Sequence, residues 1–115
     1  MPETNMDVKP LPGLKGFLID LDGVMYTGGT PVEGAREAIR YLEETGFLFR
    51  FVSNTTRKSR KTIAMHLQKM GLVVPESCIF TPAIAASSLI SSSGKGRVRL
   101  LLTGDAGADL SGACT

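Results

Sequence analysis

The chain has one histidine, two cysteines and no tryptophan among its 115 residues, and aromatic residues make up only 6%. Cys78 and Cys114 form no CxxC pair, and a single bridge is not a disulfide framework. A reducing, cytoplasmic setting is therefore expected. His66 has no second histidine and no Cys or Asp at ligand spacing, which argues against a histidine-based metal site and for a structural role. Charge of one sign is also missing: 13 basic and 11 acidic residues leave a net +2. That is too little to imply nucleic-acid binding without a clustered patch. No apolar run approaches the length of a membrane span, and the first ten residues lack the apolar core of a signal peptide. No membrane partner is expected. What remains, 43% apolar and 21% charged residues, is ordinary globular composition, in a length that suits one domain rather than two.

Hydrophobic patterning gives the organisation. The run GFLIDL over residues 16–21 is continuously apolar until its acid, as suits a strand buried on both faces of a parallel sheet. Thr30-Pro31-Val32-Glu33 has the form of a capping box with proline at the first helical position. Ala35, Ala38, Ile39 and Leu42 follow at helical spacing, and Gly46 can close that helix in a left-handed conformation. A second β-rich run, FLFRFV at 47–52, ends in the polar cluster Ser53-Asn54-Thr55-Thr56. Ile63, Ala64, Leu67 and Met70 mark a second helix that stops at Gly71. Cys78-Ile79-Phe80 is a short apolar run. Thr81-Pro82 opens a third helix with Ile84, Ala86, Leu89 and Ile90 as candidate core, residues 91–96 read as a loop, and VRLLLT at 98–103 is a further strand. Alternating strands and helices of this kind predict an α/β fold, a doubly wound Rossmann-like parallel sheet with its ligand beyond the carboxyl ends of the strands.

The sharpest chemistry sits at the first of those ends. In Asp20-Leu21-Asp22-Gly23 the period of two lets both carboxylates point the same way as the strand opens out. Gly23 permits a tight turn. Two adjacent carboxylates call for a cation or a proton between them, and a hard ion that prefers oxygen donors, Mg²⁺, is the natural choice. One carboxylate can then attack phosphorus while the other handles the leaving-group proton. Taken alone, the same acidic loop reads equally well as a solvated cap.

FLIDLDGVMY resembles motif I of the haloacid dehalogenase-like hydrolase superfamily, most of whose members are phosphatases. Phe51-Val52-Ser53-Asn54 is similar to its second motif, a strand ending in Ser or Thr followed by Asn. Val24-Met25-Tyr26, Pro31-Val32-Glu33-Gly34-Ala35, FRFVSNTTRKSR at 49–60 and Ile79-Phe80-Thr81-Pro82-Ala83 resemble the branch whose α/β cap lies between motifs II and III. That branch includes the p-nitrophenyl phosphatase-like, pyridoxal phosphate phosphatase and phospholysine phosphohistidine inorganic pyrophosphate phosphatase enzymes. The resemblance implies that Asp20 is a nucleophile forming an aspartyl-phosphate. Asp22 would protonate the leaving oxygen and later activate water. Asp20 and the backbone carbonyl of Asp22 would hold Mg²⁺, and Ser53, with backbone around Asn54, would bind the phosphoryl group of a small phosphorylated substrate. For the full-length protein a homodimer is left open.

Two further features are weighed against this frame. Arg57, Lys58, Arg60 and Lys61 could draw a phosphorylated substrate in, but a basic run at a helix start is more simply a solvated face. Gly104-Asp105-Ala106-Gly107-Ala108-Asp109 has the GDxxxD form of motif IV, which supplies metal carboxylates. Its context fits only in part: no convincing motif III lysine precedes it, since Lys95 is only ten residues away and Lys69 lies in a helix, and whether Asp105 and Asp109 are metal ligands stays open. The expected organisation is a lead-in over residues 1–14, the N-terminal part of the core over 15–103, and a tail over 104–115 running toward a missing cap. Such a fragment would be inactive or nearly so. Two alternatives stay open: a capless small phosphatase using Asp105 and Asp109 directly, and a non-enzymatic phospho-acceptor or interaction module.

Overall fold

The computed structural model describes residues 13–94 and 97–110. The expected lead-in up to residue 12, together with Lys95, Gly96 and residues 111–115 with Cys114, lies outside them. Three parallel strands, β1 (Gly16–Asp20), β4 (Leu48–Val52) and β5 (Ile79–Phe80), form a sheet in the order β1-β4-β5. Between them run α1 (Ala35–Thr45) and α2 (Arg60–Lys69), and α3 (Pro82–Ser93) follows β5. A small hairpin of β2 (Tyr26–Thr27) and β3 (Thr30–Pro31) stands outside the sheet. The parallel α/β architecture expected from the sequence is present.

Alternation along β4 decides where the core lies. Phe49 and Phe51 are buried while Leu48 and Arg50 face out. The two rings, edge-to-face at 5.6 Å, join one cluster with Ile39 and Leu42 of α1, Ile63 and Leu67 of α2, and Leu72, Val74 and Ile79. Burial of each such side chain is worth about 1.5–3 kcal/mol, so these contacts dock α1 and α2 on the sheet. The opposite face carries Leu18 at 78% and Leu48 at 67% exposure, and no described element covers it. Parallel sheets are ordinarily covered on both faces.

Several local expectations are corrected. Thr30 and Pro31 do not cap a helix: they pair with Thr27 and Tyr26 in the hairpin, and α1 starts after Gly34 with no side-chain cap. Ala38 is exposed. Helix α3 continues through Ser93 to Gly94 at φ 74 instead of looping from 91. Of its expected core, Leu89 is 70% exposed, and the buried residue is Ala83. The strand expected over 98–103 is absent from the described residues, and Leu101 is 91% exposed. Apolar β-formers supply propensity, but a strand exists only through a pairing partner. Within the expected tail, a 3-10 turn at Ala106–Leu110 buries Ala106 and Leu110 against α3.

Candidate active site

The site starts from strand register. Asp20 lies opposite Val52, so the chain leaves β1 and β4 at the same level, with Leu21-Asp22 and Ser53-Asn54 as the next residues on each side. Leu21 and Met25 are buried in the core, and the Leu21 carbonyl accepts from the amides of Met25 at 2.8 Å and Val24 at 3.1 Å. Gly23, at φ 83, makes the turn, and its amide donates to the Tyr26 carbonyl at 2.7 Å. This anchored turn leaves Asp20 and Asp22 exposed, on either side of a residue that points inward. The Asp20 carboxylate accepts the Leu21 amide at 2.9 Å. Both acids lie within electrostatic reach of Tyr26: burial first, then the charge of Asp22, then that of Asp20, pushes the phenol pKa up. The phenol therefore stays a hydrogen-bond donor.

On the neighbouring strand, the Ser53 amide donates to the Phe80 carbonyl at 3.0 Å, which ties the loop start to β5. The Ser53 hydroxyl accepts from the Thr55 amide at 3.3 Å, and the Thr55 hydroxyl from the Arg57 amide at 3.3 Å. Hydroxyl-supported turns of this kind shape a loop without regular structure. Ser53 and Asn54 line two cavities. One, of 490 Å³, is shared with Asp20, Val52, Phe80, Thr81 and Pro82. The other, of 160 Å³, is shared with Asp22, Tyr26, Thr55, Lys58, Ile63 and His66. Ser53 and Asn54 thus share one cavity with Asp20 and the other with Asp22, which brings the four residues expected from the sequence to the same end of the sheet.

Asp105 and Asp109 are placed elsewhere. The Asp105 carboxylate accepts the Ser59 amide at 3.0 Å, the Ser59 hydroxyl at 2.8 Å and the Thr62 hydroxyl. Asp109 accepts the Arg60 amide at 3.0 Å, pairs with the Arg60 guanidinium at 3.4 Å and takes the Thr81 hydroxyl at 3.2 Å. Helix α2 has no acid in its own first turn, and these two carboxylates serve its unpaired amides and positive dipole end. The GDxxxD pattern is a tertiary helix cap. The Thr62 hydroxyl, the Ser59 hydroxyl and the Ser59 amide, in that order, hold the Asp105 carboxyl down to about 2.

A family model described as haloacid dehalogenase-like hydrolase matches residues 17–112. The chain belongs to that family. It is 40% identical over 77 residues to haloacid dehalogenase-like hydrolase domain-containing protein 2 of Mus musculus, covering 67% of this chain and 30% of that protein. It is 34% identical over 90 residues to the phospholysine phosphohistidine inorganic pyrophosphate phosphatase of Homo sapiens, covering 75% and 33%. Among solved structures, glycerol phosphate phosphatase from Mycobacterium tuberculosis in complex with magnesium superposes with a TM-score of 0.73 at 25% identity, covering 86% of this chain and 30% of that one. The chain therefore spans about a third of the length of the curated relatives it matches.

Within this member of the haloacid dehalogenase-like family, the donor set suits a hard cation only in part. Asp20 and Asp22 offer oxygen donors, and Mg²⁺ commonly takes one or two carboxylates and fills its shell with water and substrate phosphate. Among the described residues there is no group of three or more His, Cys, Asp or Glu side chains that could hold a metal, so the pair would need those further oxygens. Three further residues line the smaller cavity. Lys58 is expected on a solvated face and is exposed, His66 is expected to be structural and is half-buried, and Tyr26 enters the sequence reading only as part of a motif. His66 packs edge-on to Tyr26 at 5.4 Å. Its spacing of three from the buried Ile63 was the available signal, since both line the smaller cavity. The basic run is divided: Arg60 is committed to Asp109, and Lys58 faces the cavity.

Proposed function

We propose that this chain carries the nucleophile-bearing part of a phosphatase for small phosphorylated substrates, working through an aspartyl-phosphate. The observation that carries the reading is the paired exit of Asp20-Leu21-Asp22 and Ser53-Asn54 from neighbouring parallel strands, where α/β folds place their ligands. The names of the phosphatase relatives support it.

An Asp20 carboxylate oxygen attacks phosphorus, and the bond from phosphorus to the leaving oxygen breaks. Asp22, entering as the acid, gives that oxygen its proton. Asp22, now a carboxylate, then takes a proton from the water that attacks the aspartyl-phosphate. The bond from phosphorus to Asp20 breaks, and free phosphate leaves with the Asp20 carboxylate restored. Ser53 and the adjoining backbone orient the phosphoryl oxygens, the positioning role that dominates such transfers. Asp20 and the Asp22 carbonyl would hold Mg²⁺, which supplies positive charge against the phosphoryl oxygens when bound. The magnesium held by the mycobacterial relative supports this choice of ion.

The test is hydrolysis of p-nitrophenyl phosphate, with and without Mg²⁺, by the whole phosphatase of which this chain is the nucleophile-bearing part, beside its Asp20→Asn variant. Metal-dependent turnover that disappears in the variant is the expected result. Turnover that survives Asp20→Asn contradicts the reading.

A further inference from the structure

Among the described residues Ser59 and Thr81 are the buried polar ones, at 2% and 1% exposure. A buried hydroxyl needs a partner, and both find theirs on one short segment. The Ser59 hydroxyl donates to Asp105 at 2.8 Å, and the Thr81 hydroxyl donates to Asp109 at 3.2 Å. Asp105 immediately precedes the Ala106–Leu110 turn and Asp109 lies within it, and the turn is itself anchored by the burial of Ala106 and Leu110.

Ser59 and Thr81 stand at opposite ends of the loop that carries Ser53 and Asn54. The loop begins at Ser53, whose amide is held by the carbonyl of Phe80, the residue before Thr81. It ends at Ser59, the N-cap of α2. Between these points its own bonds are long: 3.3 Å from the Thr55 amide to the Ser53 hydroxyl, and 3.3 Å from the Arg57 amide to the Thr55 hydroxyl. Firmer ties come from outside. The Asp105 amide donates to the Arg57 carbonyl at 3.1 Å, and the Asp105 carboxylate accepts the Ser59 amide at 3.0 Å. Gly104, at φ 67 and without a Cβ to strike the Arg57 carbonyl, lets the two backbones come this close. At the other end Thr81 lines the larger cavity with Asp20, Ser53 and Asn54. Asp109 joins that wall to the start of α2, because it also accepts the Arg60 amide at 3.0 Å.

We infer that Asp105 and Asp109 are positioning residues for the phosphate site: the turn that carries them clamps loop 53–59 at both ends and so sets where Ser53 and Asn54 sit relative to Asp20. The two carboxylates act through Ser59, Arg60 and Thr81, not on substrate. Phosphoryl transfer depends mainly on positioning and charge stabilisation, and a displacement of about 1 Å caused by a distant change can cost about 10²-fold in rate. The inference rests on the phosphatase reading and goes beyond it by assigning the site's geometry to residues outside the site.

The test uses the whole phosphatase of which this chain is the nucleophile-bearing part, as wild type and as Asp105→Ala, Asp105→Asn, Asp109→Ala, Leu42→Ala and Asp20→Asn. Leu42→Ala opens a core cavity under α1 and controls for a general loss of stability. Hydrogen exchange read by mass spectrometry on peptides covering 53–59 reports the order of the loop. Hydrolysis of p-nitrophenyl phosphate with Mg²⁺ reports its geometry, and both are measured well below each variant's melting temperature. The expected result is faster exchange in 53–59 and a fall in kcat/KM of about 10–100-fold in both alanine variants. Leu42→Ala should leave both readings near wild type. Asp105→Asn, which keeps an acceptor for the Ser59 amide, should recover part of each loss, and it carries the comparison if an alanine variant does not fold. Exchange in 53–59 that stays at the wild-type rate overturns the clamp. Faster exchange with kcat/KM unchanged also overturns it, leaving a helix cap and the phosphatase reading intact. An equal loss of rate in Leu42→Ala overturns it as well, because lost stability then suffices. Turnover that is absent from wild type or survives Asp20→Asn overturns the phosphatase reading and the proposal together.

Discussion

Asp105 closes the N-terminus of a helix 46 positions earlier in the chain, its carboxylate taking the Ser59 amide at 3.0 Å and the Ser59 hydroxyl at 2.8 Å. Because the loop from Ser53 to Ser59 leads into that helix, the same bonds fix one end of the candidate phosphate-binding segment. The Asp105 amide donates to the Arg57 carbonyl at 3.1 Å, which adds a backbone link from the segment before the Ala106–Leu110 turn to the loop.

Acidification should reveal this cap. The Asp105 carboxyl is lowered from its ordinary 3.8 to about 2 in the folded chain, so its contribution to stability is complete above the unfolded value and disappears as pH falls through about 2. Wild type should therefore lose thermal stability between about pH 4 and pH 2. Asp105→Asn should start lower at neutral pH and show a flatter profile in that interval. Thermal melts followed by circular dichroism measure both.

The close approach at Gly104 gives a second expectation. Its φ is 67, and a methyl group there would run into the Arg57 carbonyl. Gly104→Ala should destabilise by more than about 1 kcal/mol, because it adds a collision to an unfavourable backbone conformation. Gly29→Ala, where nothing lies within 4 Å of the added carbon, serves as the control and should change the urea midpoint little.

Asp22→Asn should discriminate between leaving groups. An alkoxide needs a proton to depart, so phosphorylation by an alkyl phosphate should slow by about 10²–10⁴-fold, the usual worth of a positioned acid. A p-nitrophenolate is stable enough to leave unprotonated, so that first step should slow far less. Parallel single-turnover measurements on the two substrates provide the comparison.

How much of this was legible depends on how local each cause is. The Asp20-Leu21-Asp22 pair was readable because a period of two and a hydrophobic strand act within a few residues. Gly46 and Thr81-Pro82 were readable for the same reason: Gly46 closes α1 at φ 79, and the Thr81 side chain caps α3. Thr30-Pro31 misled because a capping sequence also suits a hairpin edge, and Tyr26-Thr27 competed for it. Residues 98–103 misled because strand propensity is expressed only beside a partner. Leu89 looked like core from its spacing, yet burial also requires an element to cover it. The double cap of α2 was out of reach from spacing alone, since Asp105 and Asp109 act on residues 46 and 49 positions away. In the motif they resembled metal ligands. In the fold they hold a helix end.

The phosphatase reading depends on Asp20 becoming phosphorylated. Brief reaction of the whole phosphatase that contains this chain with p-nitrophenyl phosphate and Mg²⁺, acid quenching and peptide mass spectrometry tests it most directly. The account predicts a hydroxylamine-labile phosphate on Asp20 that is absent without Mg²⁺ and absent in Asp20→Asn. A stable phosphate on another residue, or labelling that persists in Asp20→Asn, would contradict it.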